Sequence, residues 1–154
     1  NILGKSMLTR VWEQCTEALP KELVYVATDN QKIQNHCIDQ GIQVIMTPSN
    51  CKTGTDRTYE VSKLVDADIY INVQGDEPLI NPSDISKVIE AGEKDPDSII
   101  NAMCPIDEEE FNRYSVPKLV HDQNNYLLYM SRSGIPKTKD GSFVKAKKQV
   151  CIYS

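Results

Sequence analysis

Apolar positions along this chain change their period repeatedly, and each change marks a new element. Met7, Leu8, Val11, Trp12, Cys15, Ala18 and Leu19 recur at helical spacing between a capping Ser6 and a terminating Pro20, which predicts a helix over 6–19. Leu23-Val24-Tyr25-Val26-Ala27-Thr28 is short, apolar and rich in β-branched and aromatic residues, and predicts a strand. Asp29 or Asn30 then caps a helix through Ile33 and Cys37, which Gly41 ends in the left-handed conformation. Ile42-Gln43-Val44-Ile45-Met46 predicts the next strand. Thr53-Gly54-Thr55-Asp56 carries the capping-box pattern ahead of a helix through Val61, Leu64 and Val65. Asp68-Ile69-Tyr70-Ile71-Asn72-Val73 reads as a strand. Pro82 and Ser83 open a helix with Ile85, Val88 and Ile89 on one face, and 98–104 reads as a further strand.

Helices and strands therefore alternate, which argues for an α/β fold with a mostly parallel sheet and helices on both faces. After residue 105 the pattern changes. Acidic 107–113 predicts one short helix, and 116–121, 126–130 and 148–153 predict strands joined by Pro-, Gly- and Lys-rich turns. The expected organisation is one domain over 1–154, with an α/β core over 1–105 and a β-rich excursion over 106–150 whose edges invite self-association. The chain opens on a polar turn with no first strand and closes on a strand still running. Both ends are expected to be cut from a larger domain.

Composition adds bounds. The 154 residues suffice for one core, and 40% hydrophobic with 25% charged content is ordinary for a globular protein. No apolar run approaches the roughly 18 residues of a membrane span. Net charge is −5, so no global field attracts nucleic acid. The charge is uneven: acids crowd 90–110, whereas Arg132, Lys137, Lys139, Lys145, Lys147 and Lys148 crowd 131–150, a stretch able to face an anionic ligand. Five dispersed cysteines without a CxxC pair argue against a disulfide framework or zinc site and suit a reducing, cytoplasmic setting.

Three segments carry candidate chemistry. Gln74-Gly75-Asp76-Glu77-Pro78 places a carboxylate at a strand tip, the edge where open α/β sheets bind ligands. Such an acid suits Mg²⁺, which takes one or two protein carboxylates plus substrate phosphates, or it simply caps the turn. Thr53-Gly54-Thr55-Asp56-Arg57 opens a helix, so it is either an anion site or a plain cap with Asp56 paired to Arg57 or another neighbour. Tyr129-Met130-Ser131-Arg132-Ser133-Gly134-Ile135-Pro136 fixes a lone Arg132 before a Gly and Pro turn. His36 and His121 have no motif partner and read as structural.

Taken in chain order, Ala27-Thr28-Asp29, Gly54-Thr55-Asp56-Arg57, the Gln74–Pro78 turn and the Tyr129–Pro136 segment make the chain resemble the 3-deoxy-manno-octulosonate (Kdo) cytidylyltransferases, the CMP-Kdo synthetases, over essentially its whole length. The resemblance implies a nucleotidyltransferase with a Rossmann-like sheet that dimerises through the β-rich excursion. It implies coupling of CTP to a sugar acid for lipopolysaccharide or capsule synthesis. By the same resemblance Asp76 is a Mg²⁺ ligand and catalytic, Gln74 and Gly75 lie beside nucleotide and sugar, and Gly54, Thr55 and Arg57 belong to the CTP pocket. Arg132, also catalytic, and Tyr153 line the sugar-acid side. The family's first strand and phosphate-binding loop would precede Asn1, and a second metal-binding Asp would follow Ser154. Cys51-Lys52-Thr53 departs from the family's His-x-Ser. Gln149 stands where a His is usual; it can hydrogen-bond a hydroxyl but cannot titrate near neutrality. That departure raises an amino-Kdo or a nonulosonic acid as the alternative substrate. The implied absence of the first loop raises an inactive nucleotide-binding or dimerisation module. Lys118 matches a position usually Lys in the family.

Overall fold

The structure, a computed structural model, describes residues 1–153, and of Cys151 its backbone alone. Two compact units result, one of residues 1–100 with the chain's end from 151 and one of 101–150.

In the first unit α1 (Met7–Ala18) begins at Ser6, whose hydroxyl accepts from Thr9 N. His36 reaches the same cap: its Nε2 lies 2.9 Å from Ser6 Oγ and 3.0 Å from Thr9 Oγ1, a structural role. β1 (Val26–Thr28) pairs in parallel with β2 (Val44–Met46), Val26 opposite Val44. Between them runs α2 (Gln31–Asp39), capped by Asn30 and followed by Gly41 at φ +67°. The left-handed turn is the one that glycine makes without strain. This parallel unit closes on Val26, Cys37 and Ile42, with Leu8, Trp12 and Val44 packed against them. α3 (Gly54–Ser62) follows β2, and α4 (Pro82–Lys94) begins with Pro82 at its first turn behind the Asn81 cap. β3 (Asn72–Val73) pairs antiparallel with the chain's end, Asn72 opposite Tyr153 and Val73 opposite Ile152.

Two predicted strands are shorter than their apolar runs. Of 23–28 only Val26–Thr28 is strand, because Lys21–Leu23 forms a 3₁₀ turn. Of 68–73 only Asn72–Val73 is strand; upstream, Tyr70 Oη bonds Val65 O at 2.6 Å and accepts from Ala67 N at 3.1 Å. Those bonds hold the stretch as a connection rather than a ladder. The parallel ladder is that of β1 and β2.

In the second unit β4 (Asn101–Ile106) leads to α5 (Glu108–Asn112), capped by Asp107. β5 (Lys118–His121) pairs antiparallel with β6 (Leu127–Ser131) and with β7 (Ala146–Tyr153), Lys118 opposite Ser131 and Lys148. β6 is the terminal strand of this order. The core gathers Ile106, Phe111 and Ala146 with Phe143, whose ring meets Phe111 edge-on at 5.3 Å. Lys148 pairs with Glu110, so the basic and acidic stretches meet there. Among the described residues no helix is long and apolar enough to cross a membrane.

Candidate functional site

The turn Gln74-Gly75-Asp76 follows β3 directly and is exposed, which puts Asp76 at a strand's C-terminal end as its sequence predicts. The turn lies beside α1: a Cβ on Gly75 would be 3.4 Å from Leu8 Cδ1, an ordinary contact. Asp76 carries no hydrogen bond or ion pair among the described residues. Its carboxylate is thus free to meet a cation.

Arg57 takes a position that the sequence alone does not give. Its Nη2 lies 3.3 Å from Asp29 Oδ2 and its Nη1 bonds Thr47 Oγ1. Asp29 follows β1 and Thr47 follows β2, so the guanidinium spans the C-terminal ends of both parallel strands. Asp29 stood in the Ala27-Thr28-Asp29 segment, but nothing in the spacing pairs it with Arg57, and Thr47 carried no signal at all. This contact sets aside the pairing of Asp56 with Arg57.

Asp56 instead completes the capping box of α3. Thr53 Oγ1 accepts from Asp56 N at 3.1 Å, and Asp56 Oδ2 accepts from Lys52 N and Thr53 N at 2.9 Å each. The Thr53 side-chain bond, then the backbone bonds, hold the Asp56 carboxyl below its usual range. A charge already sits at this helix start, so the segment acts first as a cap. The next turn is tied down from the other side. Thr55 Oγ1 lies 2.9 Å from Tyr153 Oη, while Asn72 Nδ2 donates to Gly54 O at 3.1 Å and to Thr58 Oγ1. A Cβ on Gly54 would make ordinary contact with Asn72 and Tyr153 at 3.4–3.7 Å. Asn72 is a positioning residue that no motif announced.

One cleft of about 630 Å³ gathers Gly54, Arg57, Gln74, Gly75 and Asp76. Most of its remaining wall is apolar, with Leu8, Val11 and Trp12 from α1 and Ile85 and Ile89 from α4, although Thr58, Asp66 and Asn72 also line it. A charged ligand would therefore meet the polar residues at the strand ends rather than the interior. Thr55 and Tyr153 line a second cavity of about 390 Å³ with Thr58 and Asn72.

Arg132 and Gln149 belong to the second unit. Arg132 is exposed, and its Nη1 donates to Ser115 O at 2.8 Å and Tyr114 O at 3.3 Å. Gln149 is half-buried in β7, with its backbone N–H on Pro117 O at 3.0 Å. Of the thiols, Cys15 also lines the cleft. Burial pushes the Cys15 thiol up to about 11 and raises that of Cys37.

A family model described as cytidylyltransferase matches residues 1–149. The chain belongs to the cytidylyltransferase family. Among cytidylyltransferases similar to it, the 3-deoxy-manno-octulosonate cytidylyltransferase of Zea mays is 40% identical over 92% of this chain and 48% of the relative. The Escherichia coli protein of the same name is 36% identical over 100% of this chain and 63% of the relative. A solved CMP:2-keto-3-deoxy-manno-octonic acid synthetase complexed with CTP superposes with a TM-score of 0.90 at 35% identity, covering 99% of this chain and 64% of that one. The chain thus spans roughly half to two thirds of the length of these cytidylyltransferases.

Proposed function

We propose that the protein of which this chain is part transfers the cytidylyl group of CTP to a 3-deoxy-2-keto sugar acid of the Kdo type, releasing pyrophosphate. The observation that carries this reading is the gathering of Gly54, Arg57, Gln74, Gly75 and Asp76 in one cleft at strand C-terminal ends. It is supported by the likeness to proteins bearing that activity in their names.

The anomeric hydroxyl of the acid attacks the α-phosphorus. A new P–O bond forms, the bond to pyrophosphate breaks in line, and the hydroxyl proton passes to water. Little covalent work falls to the protein, so positioning and charge compensation dominate. Arg57, braced by Asp29 and Thr47, presents a fixed positive charge beside the cleft. The backbone around Gly54, Gln74 and Gly75 lies open to close approach by a nucleotide. Thr55 and Tyr153 support that edge through their mutual hydrogen bond. Arg132 receives the acid's carboxylate, and Gln149 hydrogen-bonds a sugar hydroxyl.

The donor set fits Mg²⁺. Among the described residues no group of three or more His, Cys, Asp or Glu could form an all-protein metal cage. An unpaired carboxylate sharing a metal with substrate phosphates is what Mg²⁺ prefers. When bound by Asp76, Mg²⁺ supplies charge neutralisation at the phosphates. Cytoplasmic location and service in lipopolysaccharide or capsule synthesis belong to the same proposal, the former supported by five dispersed cysteines without a CxxC pair.

Self-association completes it: the exposed Leu127, Leu128, Tyr129 and Met130 along terminal strand β6, with Tyr126 just before it, form the surface of a homodimer. A pyrophosphate-release assay on full-length protein with CTP, Mg²⁺ and Kdo tests the activity. Release that depends on both substrates is expected, and none above background with any 2-keto-3-deoxy acid sinks it. Gln149 favours an amino-Kdo or nonulosonic acid as a second reading within the same chemistry. Equal or better turnover with plain Kdo counts against that reading.

A further inference from the structure

Among the described residues Lys118 is the charged side chain that is buried, with 0% of its surface exposed. No carboxylate neutralises it. Its ammonium donates instead to three main-chain carbonyls, Arg113 O at 2.7 Å, Val116 O at 2.9 Å and Arg132 O at 2.7 Å. Three acceptors use all three ammonium hydrogens. A buried cation without a counter-ion is costly even when hydrogen-bonded, and an apolar side chain of the same length would fill the position without that cost. The ammonium must therefore contribute something that an apolar residue would not.

Its acceptors all concern Arg132. Arg113 and Val116 are the ends of one turn, closed by Val116 N on Arg113 O at 3.2 Å. The two carbonyls between them, Tyr114 O and Ser115 O, accept from Arg132 Nη1. Four successive carbonyls of one turn are thus divided between two cations. The third acceptor of Lys118 is the main-chain carbonyl of Arg132 itself, which the β5–β6 register brings close by setting Lys118 opposite Ser131. Arg132 is held at both ends: at its backbone directly, and at its guanidinium through the turn. Its Nε and Nη2 make no hydrogen bond among the described residues. Together they form a fork that matches a carboxylate.

We propose that Lys118 is a positioning residue, which fixes Arg132 so that its free N–H fork meets the carboxylate of the acid substrate. The proposal rests on the assignment of Arg132 to the sugar acid. A neutral, unbranched replacement separates this role from a structural one. In full-length Lys118→Met the KM for the sugar acid should rise about 10-fold or more, the size of a small misplacement of a binding group, with the KM for CTP unchanged. In an Arg132→Ala background the same substitution should add nothing to the sugar-acid KM. An unchanged sugar-acid KM in folded Lys118→Met, or the same rise with and without Arg132, overturns the proposal.

A second readout needs no turnover. The two ¹⁵Nη resonances of Arg132 should be separate in the wild type, where Nη1 is hydrogen-bonded and Nη2 is not, and averaged into one in Lys118→Met; identical spectra overturn the proposal. If the wild type turns over no sugar acid, the activity reading fails while this signal still decides the role of Lys118. If Lys118→Met does not fold, Lys118→Gln takes its place. If neither folds, the wild-type signal stands alone: two separate Nη resonances support the proposal and a single averaged one contradicts it.

Discussion

Gly134 has no room for a methyl group. A Cβ there would lie 2.6 Å from Phe111 Cε1 and 2.7 Å from its Cζ, and Phe111 is only 2% exposed. The ring cannot swing away, because Phe143 meets it edge-on. Gly134→Ala should therefore cost about 1–3 kcal/mol of stability by overpacking, read as a lower denaturant midpoint with an unchanged slope. An unchanged midpoint would contradict this packing account. The sequence showed a Gly and Pro turn at this point, but the reason for glycine is the neighbouring ring rather than a left-handed backbone. Asp76 is the opposite case. It is exposed and unpaired, so Asp76→Asn should leave the thermal midpoint close to the wild-type value. Loss of its metal-centred interaction should lower turnover on the order of 10²-fold or more. A wild-type rate at saturating Mg²⁺ would refute the ligand assignment. Asp76 was legible because a strand run ending in Gly-Asp fixes an acid at the strand tip. The contacts of Lys118 were not, because backbone carbonyls leave no mark in the sequence.

Elements whose signals are local emerged as the sequence predicts. The Thr53 box of α3, the Asn30 cap of α2 and the Pro82 start of α4 depend on residues a few positions apart. The strands 23–28 and 68–73 shortened because strand extent depends on a pairing partner, which apolar runs do not specify. The α3 box also makes a pH prediction. The folded Asp56 carboxyl titrates below its ordinary value, held down first by Thr53. An acid with a lowered folded pKa contributes stability above its unfolded value of about 3.9, and that stability is lost as pH falls through the folded value. Amide exchange in the first turn of α3 should therefore speed up relative to the helix centre as pH drops below about 4, after correction for intrinsic rates. Asp56→Asn should remove that extra acceleration. An equal acceleration in the variant would show that the cap does not depend on this carboxylate.

At the scale of the whole molecule, the two units meet different demands. The first carries the parallel β1–β2 pair and the strand ends that gather the candidate nucleotide residues. The second carries β6, where Leu128 and Tyr129 are 67% and 63% exposed although their side chains point to opposite faces. Apolar side chains bare on both faces of a terminal strand suit burial against another copy. Full-length Leu128→Glu should sediment as a monomer at concentrations where the wild type is a dimer. A wild-type monomer, or an unaffected dimer in the variant, would remove β6 from the interface. The predicted change of character near residue 105 was readable from the loss of α/β alternation. The bracing of Arg57 by Asp29 and Thr47 was not, because it joins α3 to two loops through tertiary structure alone.

The central claim is cytidylyl transfer with Asp76 at its metal site. Phosphorus NMR of full-length protein with CTP, Mg²⁺ and Kdo tests it most directly. The account predicts that the α-phosphorus of CTP moves to a new phosphodiester resonance as pyrophosphate appears, at a rate that collapses in Asp76→Asn. An α-phosphorus that stays in CTP, or transfer that is equally fast in the variant, would contradict it.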